Sequence, residues 1–325
     1  MTPESLTSIT HMAKAEGSSQ AELRAKYTER LANLKTPITE AIKDYREALK
    51  DGLFEDQAGE EEESGEKRKI ALQTKINTLV ERAEKLKAQL DSPEPLPAIT
   101  LDLTTTYSHP DGHQETIHLD LEQKLQDFTT FYHTNQIDLP PNFEDIIHDL
   151  WERNQAEIQT AIEQNGFDDL LLIPANLSLP DLADKLKMEN GIYEYSNFTD
   201  GGSFTQAQDQ HPDQPRIVLV HHTQNLADRP ELASTLNTLG QDVKLDQALT
   251  LTDYLIFQKK YFEETNQHLD VNGWTWLATK SGARLVSARW RPDDGQLSVY
   301  ASDLSDSDPL LGVRPSRSFF WSSSL

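Results

Sequence analysis

Apolar residues recur at steps of three and four along the N-terminal part of the chain and at steps of two near its C-terminal end. From about Ala21 to Lys50, Leu31, Leu34, Ile38, Ala41, Tyr45 and Ala48 trace an a/d seam. A second seam, Leu72, Ile76, Leu79, Ala83, Leu86 and Leu90, keeps heptad spacing. Between them Asp51 to Glu66, with its glycines and the run Glu60 to Glu63, reads as a flexible acidic loop. The pattern predicts a disordered N-terminus over 1–20 and an antiparallel helical hairpin or coiled coil over 21–91. Three prolines between Ser92 and Pro97 cannot continue a helix, so 92–98 reads as a stiff linker.

Past the linker the period changes. Ile99, Leu101 and Leu103 alternate with polar residues, Ser108-His-Pro-Asp-Gly112 turns, and Ile117 and Leu119 return, which predicts a β-hairpin. Leu121, Leu125, Phe128 and Tyr132 mark one amphipathic helix. Phe143, Ile146, Ile147, Leu150 and Trp151 mark another, which runs to a C-cap at Gly166. Leu170 to Ile173 reads as a short buried strand and Ser178 as the cap of the next helix. Together these elements predict an α+β connecting module over 99–190. Further on, Arg216 to Val220 reads as a central strand, and Asp253 to Phe262 as a helix capped by Thr250 or Thr252.

The most regular alternation comes last. Val286, Ala288 and Trp290 point one way, and Ser287, Arg289 and Arg291 the other. Pro292-Asp293-Asp294-Gly295 supplies a turn, and Leu297, Val299 and Ala301 alternate with Gln296, Ser298 and Tyr300 on the return. A four-residue turn pairs Arg291 with Gln296, Arg289 with Ser298 and Ser287 with Tyr300, which predicts one contiguous polar wall. Two readings of the wall stand side by side: the solvated side of a surface hairpin, and a binding face. Trp274 and Trp276 upstream read either as core or as stacking platforms for a ligand. The following segment, with Ser305, Asp306, Ser307 and Asp308, reads as a solvated loop whose two aspartates fall short of a calcium ligand set.

Composition narrows the chemistry. The 325 residues carry a formal net charge of -24, which repels phosphate backbones and argues against nucleic-acid partners, although Arg284, Arg289, Arg291, Arg314 and Arg317 gather in the tail. With no cysteine there is no disulfide, thiolate metal site or cysteine nucleophile. No segment reaches membrane-spanning length and Met1 to Thr10 lacks a signal-peptide pattern, so the expectation is a cytoplasmic protein. His109, His113 and His118, and the pair His221-His222, invite a metal reading. Neither set comes with a carboxylate at ligand spacing, and surface or edge-of-core histidines are the alternative; neither metal nor cofactor is predicted.

The tail also carries a resemblance. Asn272-Gly-Trp-Thr-Trp-Leu, Ser281-Gly-Ala-Arg and Leu311-Gly-Val-Arg-Pro-Ser-Arg-Ser-Phe, spread over about the last third of the chain, resemble the variable proteins of diversity-generating retroelements. That resemblance implies a C-terminal domain over 191–325 with the C-type lectin fold, in the branch shared with formylglycine-generating enzymes. It also implies a binding surface rewritten by error-prone reverse transcription at template adenines. Codons of the AAC type altered at either adenine give Ser, Asp, Tyr, Arg or Pro but never Lys, Glu, Gln, Met or Trp. From Ser281 to the end there is no Lys, Glu or Met, which a β-rich domain's avoidance of Lys and Glu also explains in part. Gln296, Trp290 and Trp321 are not permitted products and belong to a constant scaffold.

The expected architecture is therefore α+β: an N-terminal antiparallel helical hairpin or coiled coil, an α+β connecting module and a C-terminal C-type-lectin-like domain. The expected function is non-enzymatic binding of a protein or other macromolecular ligand through Ser287, Arg289, Arg291, Asp293, Asp294, Ser298, Tyr300, Ser305, Asp306, Ser307 and Asp308, with homo-oligomerisation through the seams. Two alternatives are a coiled-coil scaffold and an enzyme of the formylglycine-generating kind. The second lacks the cysteines on which that chemistry depends.

Overall fold

The computed structural model describes residues 101–140, 142–186, 192–194, 207–210 and 213–320, together with 35–50 and scattered helical positions between 24 and 32 and between 69 and 92. The expectations for 1–20, for the acidic loop 51–66 and for the linker beyond Ser92 lie outside the described residues, as does Trp321. The chain divides into two compact units, Met1–Thr100 with Ser323–Leu325, and Leu101–Ser322.

In the first unit the continuous described helix is α1, Lys35–Lys50. The expected N-terminal antiparallel hairpin or coiled coil is corrected here. A coiled coil needs an unbroken dry stripe on both helices. Among the described residues of this unit only Tyr27 and Ala41 are buried, while Leu31, Ile38, Ile76, Ala83 and Leu90 are partly open around them and Val80 is exposed.

The second unit begins with the ribbon β1 (Asp102–Ser108) and β2 (Gln114–Asp120), antiparallel with Ser108 opposite Gln114. Its tip takes Gly112 at φ 87°, the left-handed region that favours glycine. Asp120 caps α2 (Leu121–Thr134), which buries Leu121, Leu125, Phe128, Phe131 and Tyr132. In α3 (Phe143–Asn165) the buried stripe is Phe143, Ile147, Leu150, Trp151, Ile158 and Ile162, and Gly166 closes the helix in the left-handed conformation. Next come β3 (Asp169–Ile173), buried throughout, and α4 (Leu179–Lys185), capped by Ser178.

The remaining strands are β4 (Ile192–Glu194), β5 (Ala207–Gln208), β6 (Arg216–Val220), β7 (Trp274–Ser281), β8 (Arg284–Arg291), β9 (Gln296–Ser302), β10 (Leu311–Val313) and β11 (Arg317–Phe320). They build a sheet in the order β10-β7-β8-β9-β4, with β5 also on β7, and a second sheet in the order β11-β6-β3. Helix α5 (Leu251–Thr265) packs against β3 of one sheet and β7 of the other. It is buried on most sides, and the polar residues enclosed with it include Asp253 and Gln258, both hydrogen-bonded.

The stretches expected as a connecting module and as a lectin-like domain share a sheet and a core. Strand β3, from the stretch assigned to the module, pairs with β6 along its whole length, Asp169 opposite Val220 through Ile173 opposite Arg216. One continuous core runs from Leu103 through Trp151 and Leu172 to Tyr254, Val286, Trp290 and Val299. Hydrophobic periodicity locates the elements but carries no information on which of them share a core, and the boundary at 191 rests on the resemblance of the tail alone. The architecture is mixed α+β, with most of the strands toward the C-terminus.

Candidate functional site

The face to which the sequence points is held from behind by two buried ion pairs. At the N-terminus of α5 the Thr250 hydroxyl accepts from Asp253 N and the Asp253 carboxylate accepts from Thr250 N, a reciprocal capping box. Arg216, in the middle strand of the second sheet, donates to the same carboxylate at 2.6 Å and to the Thr250 hydroxyl at 3.3 Å. Asp209, just past β5, accepts from Leu251 N at 3.2 Å and Thr252 N at 3.1 Å and from the Thr279 hydroxyl, which ties α5 to β7. Burial raises the Asp209 pKa above the usual aspartate range against these donors.

The second pair joins Arg314 to Asp270. Arg314 Nε and Nη2 donate to the two carboxylate oxygens at 3.0 and 2.8 Å, and Nη1 and Nη2 reach the carbonyls of Thr223 and Gln224. Asp270 also accepts from Tyr254 Oη at 3.0 Å and Thr275 Oγ1 at 2.8 Å. The cluster thus draws together α5, β7, the loop after β6 and the approach to β11. Burial works to lower the Arg314 pKa, the Asp270 carboxylate outweighs it, and the balance is raised.

On that support β8 and β9 pair in the register expected: Arg291 opposite Gln296, Arg289 opposite Ser298, Ser287 opposite Tyr300. Val286, Ala288, Trp290, Leu297, Val299 and Ala301 turn to the main core. Because paired residues share a face, Trp276, opposite Ser287 on β7, lies on the polar side as well. Trp274, two residues before it, joins that side, and the Arg289 guanidinium carbon lies 4.9 Å from its ring centroid. Two rows cross the face: Trp276, Ser287 and Tyr300, and Trp274, Arg289 and Ser298.

The rows are not uniformly open. Trp276 is fully buried and donates its Nε1–H to Thr238 O at 2.8 Å. It packs with Ala278, Leu285, Leu311, Val243 and Ala248 in a second, smaller core on this side of the sheet. The expected contiguous solvated wall is corrected at two positions, since Ser287 is 2 % and Ser298 0 % exposed. Ser287 Oγ lies 3.2 Å from Ser302 Oγ, whereas Ser298 Oγ has no hydrogen-bond partner among the described residues. Alternation fixes which face a residue takes, but not whether a loop lies over that face; here 238–248 covers one end of it. Arg289, Arg291 and Tyr300 remain half-buried.

The two neighbouring loops are exposed. Asp293 and Asp294 sit in the β8–β9 turn, where Gly295 takes φ 61° and Asp294 Oδ2 holds Arg291 Nη2 at 2.5 Å. Ser305, Asp306, Ser307 and Asp308 are open to solvent on the loop after β9. Within it Asp306 accepts from Asp303 N at 3.0 Å and Asp308 from Leu310 N at 2.7 Å, so both carboxylates order their own turns. Asp303 also holds Arg284 Nε at 2.9 Å.

One grouping escaped sequence reasoning. His222, just past β6, meets Asp169 of β3 and Glu264 of α5, with ligand atoms within 4.8 Å of one another. No spacing in the chain announces it, because each residue comes from a different element. Lysines already answer both carboxylates: Lys124 Nζ is 2.5 Å from Asp169 Oδ1, and Lys260 Nζ is 2.6 Å from Glu264 Oε1. Burial favours the neutral acid, but hydrogen bonds from His222 and Lys260 outweigh it and hold the Glu264 pKa at about 2. The arrangement is a charge-compensated ion-pair cluster. Its neighbour His221 is buried against the Phe167 ring, and burial lowers its pKa to about 3, with the Arg229 and Arg314 charges adding to the effect. In the first ribbon His109 turns to Glu115 at 3.0 Å and His118 to Thr104 at 2.9 Å.

Among the described residues no helix is long and apolar enough to cross a membrane. Comparisons with protein-family models, curated proteins and solved structures give no match to this chain.

Proposed function

We propose that this chain is a non-enzymatic binding protein that presents interchangeable side chains on one face of β8 and β9 and on the two loops beside them. In this it would act as do the variable proteins of diversity-generating retroelements, which its tail motifs resemble. The observation that carries the reading is the division of labour across a single ribbon. Val286, Ala288, Trp290, Leu297 and Val299 fill the core on one side, while Arg289, Arg291 and Tyr300 stand half-open on the other with the exposed Asp293, Asp294 and Ser305 to Asp308 beside them. Replacement on the second side leaves the first untouched, and Tyr, Arg, Ser and Asp are the side chains that supply contact area and adaptable hydrogen bonds.

The test is to sequence the tail-coding segment and its surroundings from many isolates. The expected result is replacement concentrated at adenine-bearing codons of the site positions, with a near-identical copy of the segment beside a reverse-transcriptase gene. Substitutions spread evenly over Val286, Ala288 and Trp290 as well as the site positions would sink the reading.

A further inference from the structure

We infer that the binding face carries a seat for a single carboxylate of a protein ligand, an aspartate or glutamate side chain, built on Arg289 with Ser298 and Trp274. The inference rests on the proposed binding function and adds the chemical class of the ligand. It starts from a charge count along β8. Arg284 is answered by Asp303 and Arg291 by Asp294, so two of the strand's three arginines are neutralised by the adjacent loops. Arg289, between them, has no carboxylate partner among the described residues and lies against the Trp274 ring instead. Among the described residues, the face of this acidic protein thus keeps Arg289 as an uncompensated cation at its centre.

A second, independent observation lies across the strand pair. Among the described residues Arg289 Nε is a buried donor without an acceptor, and the hydroxyl of its cross-strand neighbour Ser298, fully buried, has no partner either. Two adjacent polar groups left unsatisfied on one row are costly in a folded protein, where buried polar groups are almost always paired. A carboxylate supplies what both lack, accepting from the guanidinium and from the Ser298 hydroxyl together. Charge-assisted bonds of this kind are about twice as strong as neutral ones. They also exceed the cation–π contact, so Arg289 can adjust over Trp274 to receive the ligand. The net charge of -24 and the exposed rim of Asp293, Asp306 and Asp308 disfavour a dianion or polyanion, which selects a monovalent carboxylate over a phosphate.

The experiment follows the Arg289 Nε–Hε resonance of the full-length protein, identified by its loss in Arg289→Lys. The chain is titrated with N-acetyl-glutamate amide, with inorganic phosphate and with N-acetyl-glutamine amide. The expected result is a saturable shift with the glutamate probe, at least tenfold weaker binding of phosphate and of the glutamine probe, and at least a fivefold loss of affinity in Ser298→Ala. Arg289→Lys, checked for an unchanged thermal midpoint and titrated by calorimetry alongside the parent because it lacks that resonance, is expected to lose binding tenfold or more. Equal response to the glutamine probe, tighter binding of phosphate, or affinity unchanged in Arg289→Lys would each overturn the inference. None of these outcomes bears on whether the site positions vary among isolates, so the carboxylate seat and the diversified face fail separately.

Discussion

Arg314 and Asp270 meet end-on in a sealed pocket, Nε to Oδ2 at 3.0 Å and Nη2 to Oδ1 at 2.8 Å, with Arg314 3 % and Asp270 1 % exposed. The pair joins the approach to β11, in the second sheet, to the segment that leads into β7, so the site-bearing sheet is fixed to its neighbour. Removing one partner leaves the other charged and dry. Arg314→Met is therefore expected to cost about 3–5 kcal/mol, the usual penalty for breaking a buried pair. Adding Asp270→Asn to it should recover part of that loss. Urea denaturation of the two variants measures both, and a loss under 1 kcal/mol in Arg314→Met would show that the pair does not fix the sheet.

The glycines of the tail motifs divide into two kinds. A Cβ on Gly273 would stand 2.6 Å from the Leu310 carbonyl oxygen, and one on Gly312 would meet Leu226 Cδ1 at 2.8 Å and Thr235 Oγ1 at 3.0 Å. The first neighbour is backbone and cannot turn aside. Gly273→Ala is expected to cost about 1–3 kcal/mol through overpacking. Gly282 has open space around it at φ 60°, so Gly282→Ala carries only the left-handed penalty, about 1 kcal/mol. Thermal melts that ranked Gly282→Ala below Gly273→Ala would contradict the packing argument.

Burial also divides the site positions. Ser305→Tyr and Asp306→Ser fall on an exposed loop and should shift stability by no more than about 0.5 kcal/mol. Ser298→Tyr puts a large ring at a strand position that has no solvent exposure, with an expected loss of about 2 kcal/mol or more. If both kinds of change were equally tolerated in chemical denaturation, the floor of the face would be softer than its burial implies.

Much of the fold was legible in the sequence because local rules fix local things. The register Arg289 to Ser298 followed from alternation and turn length, and the stop at Gly166 from the need for a left-handed residue at a helix end. Arg314 stood out as one of the arginines gathered in the tail, and nothing near it in the chain marks Asp270 as its partner. The same limit hid the meeting of Asp169, His222 and Glu264, and the loop that closes over Trp276. The N-terminal seams misled for the opposite reason. Heptad spacing states that a helix has an apolar stripe, and in this structure most of that stripe stays partly open.

His221 sets the direction in which acid acts on this fold. It is buried beside Phe167, with Arg229 and Arg314 as the charges that act on it, and its folded pKa lies at about 3 against an ordinary 6.5. A pKa lowered on folding means that the unfolded chain takes up the proton first. The neutral, folded ring is therefore favoured above pH 6.5, and stability falls as pH drops from there toward 3. His268, stacked on Trp290 and lowered by burial to about 4, acts in the same direction. Glu264, held at about 2, joins them only below its ordinary 4.5. Replacing His221 by Leu removes the first contribution alone. The unfolding free energy of His221→Leu should therefore lose less between pH 7 and pH 5 than that of the parent chain. Over the full range the His221 part amounts to about 5 kcal/mol at most. Urea titrations of both proteins across that interval make the comparison, and parallel pH curves would mean that His221 is not held neutral by the fold.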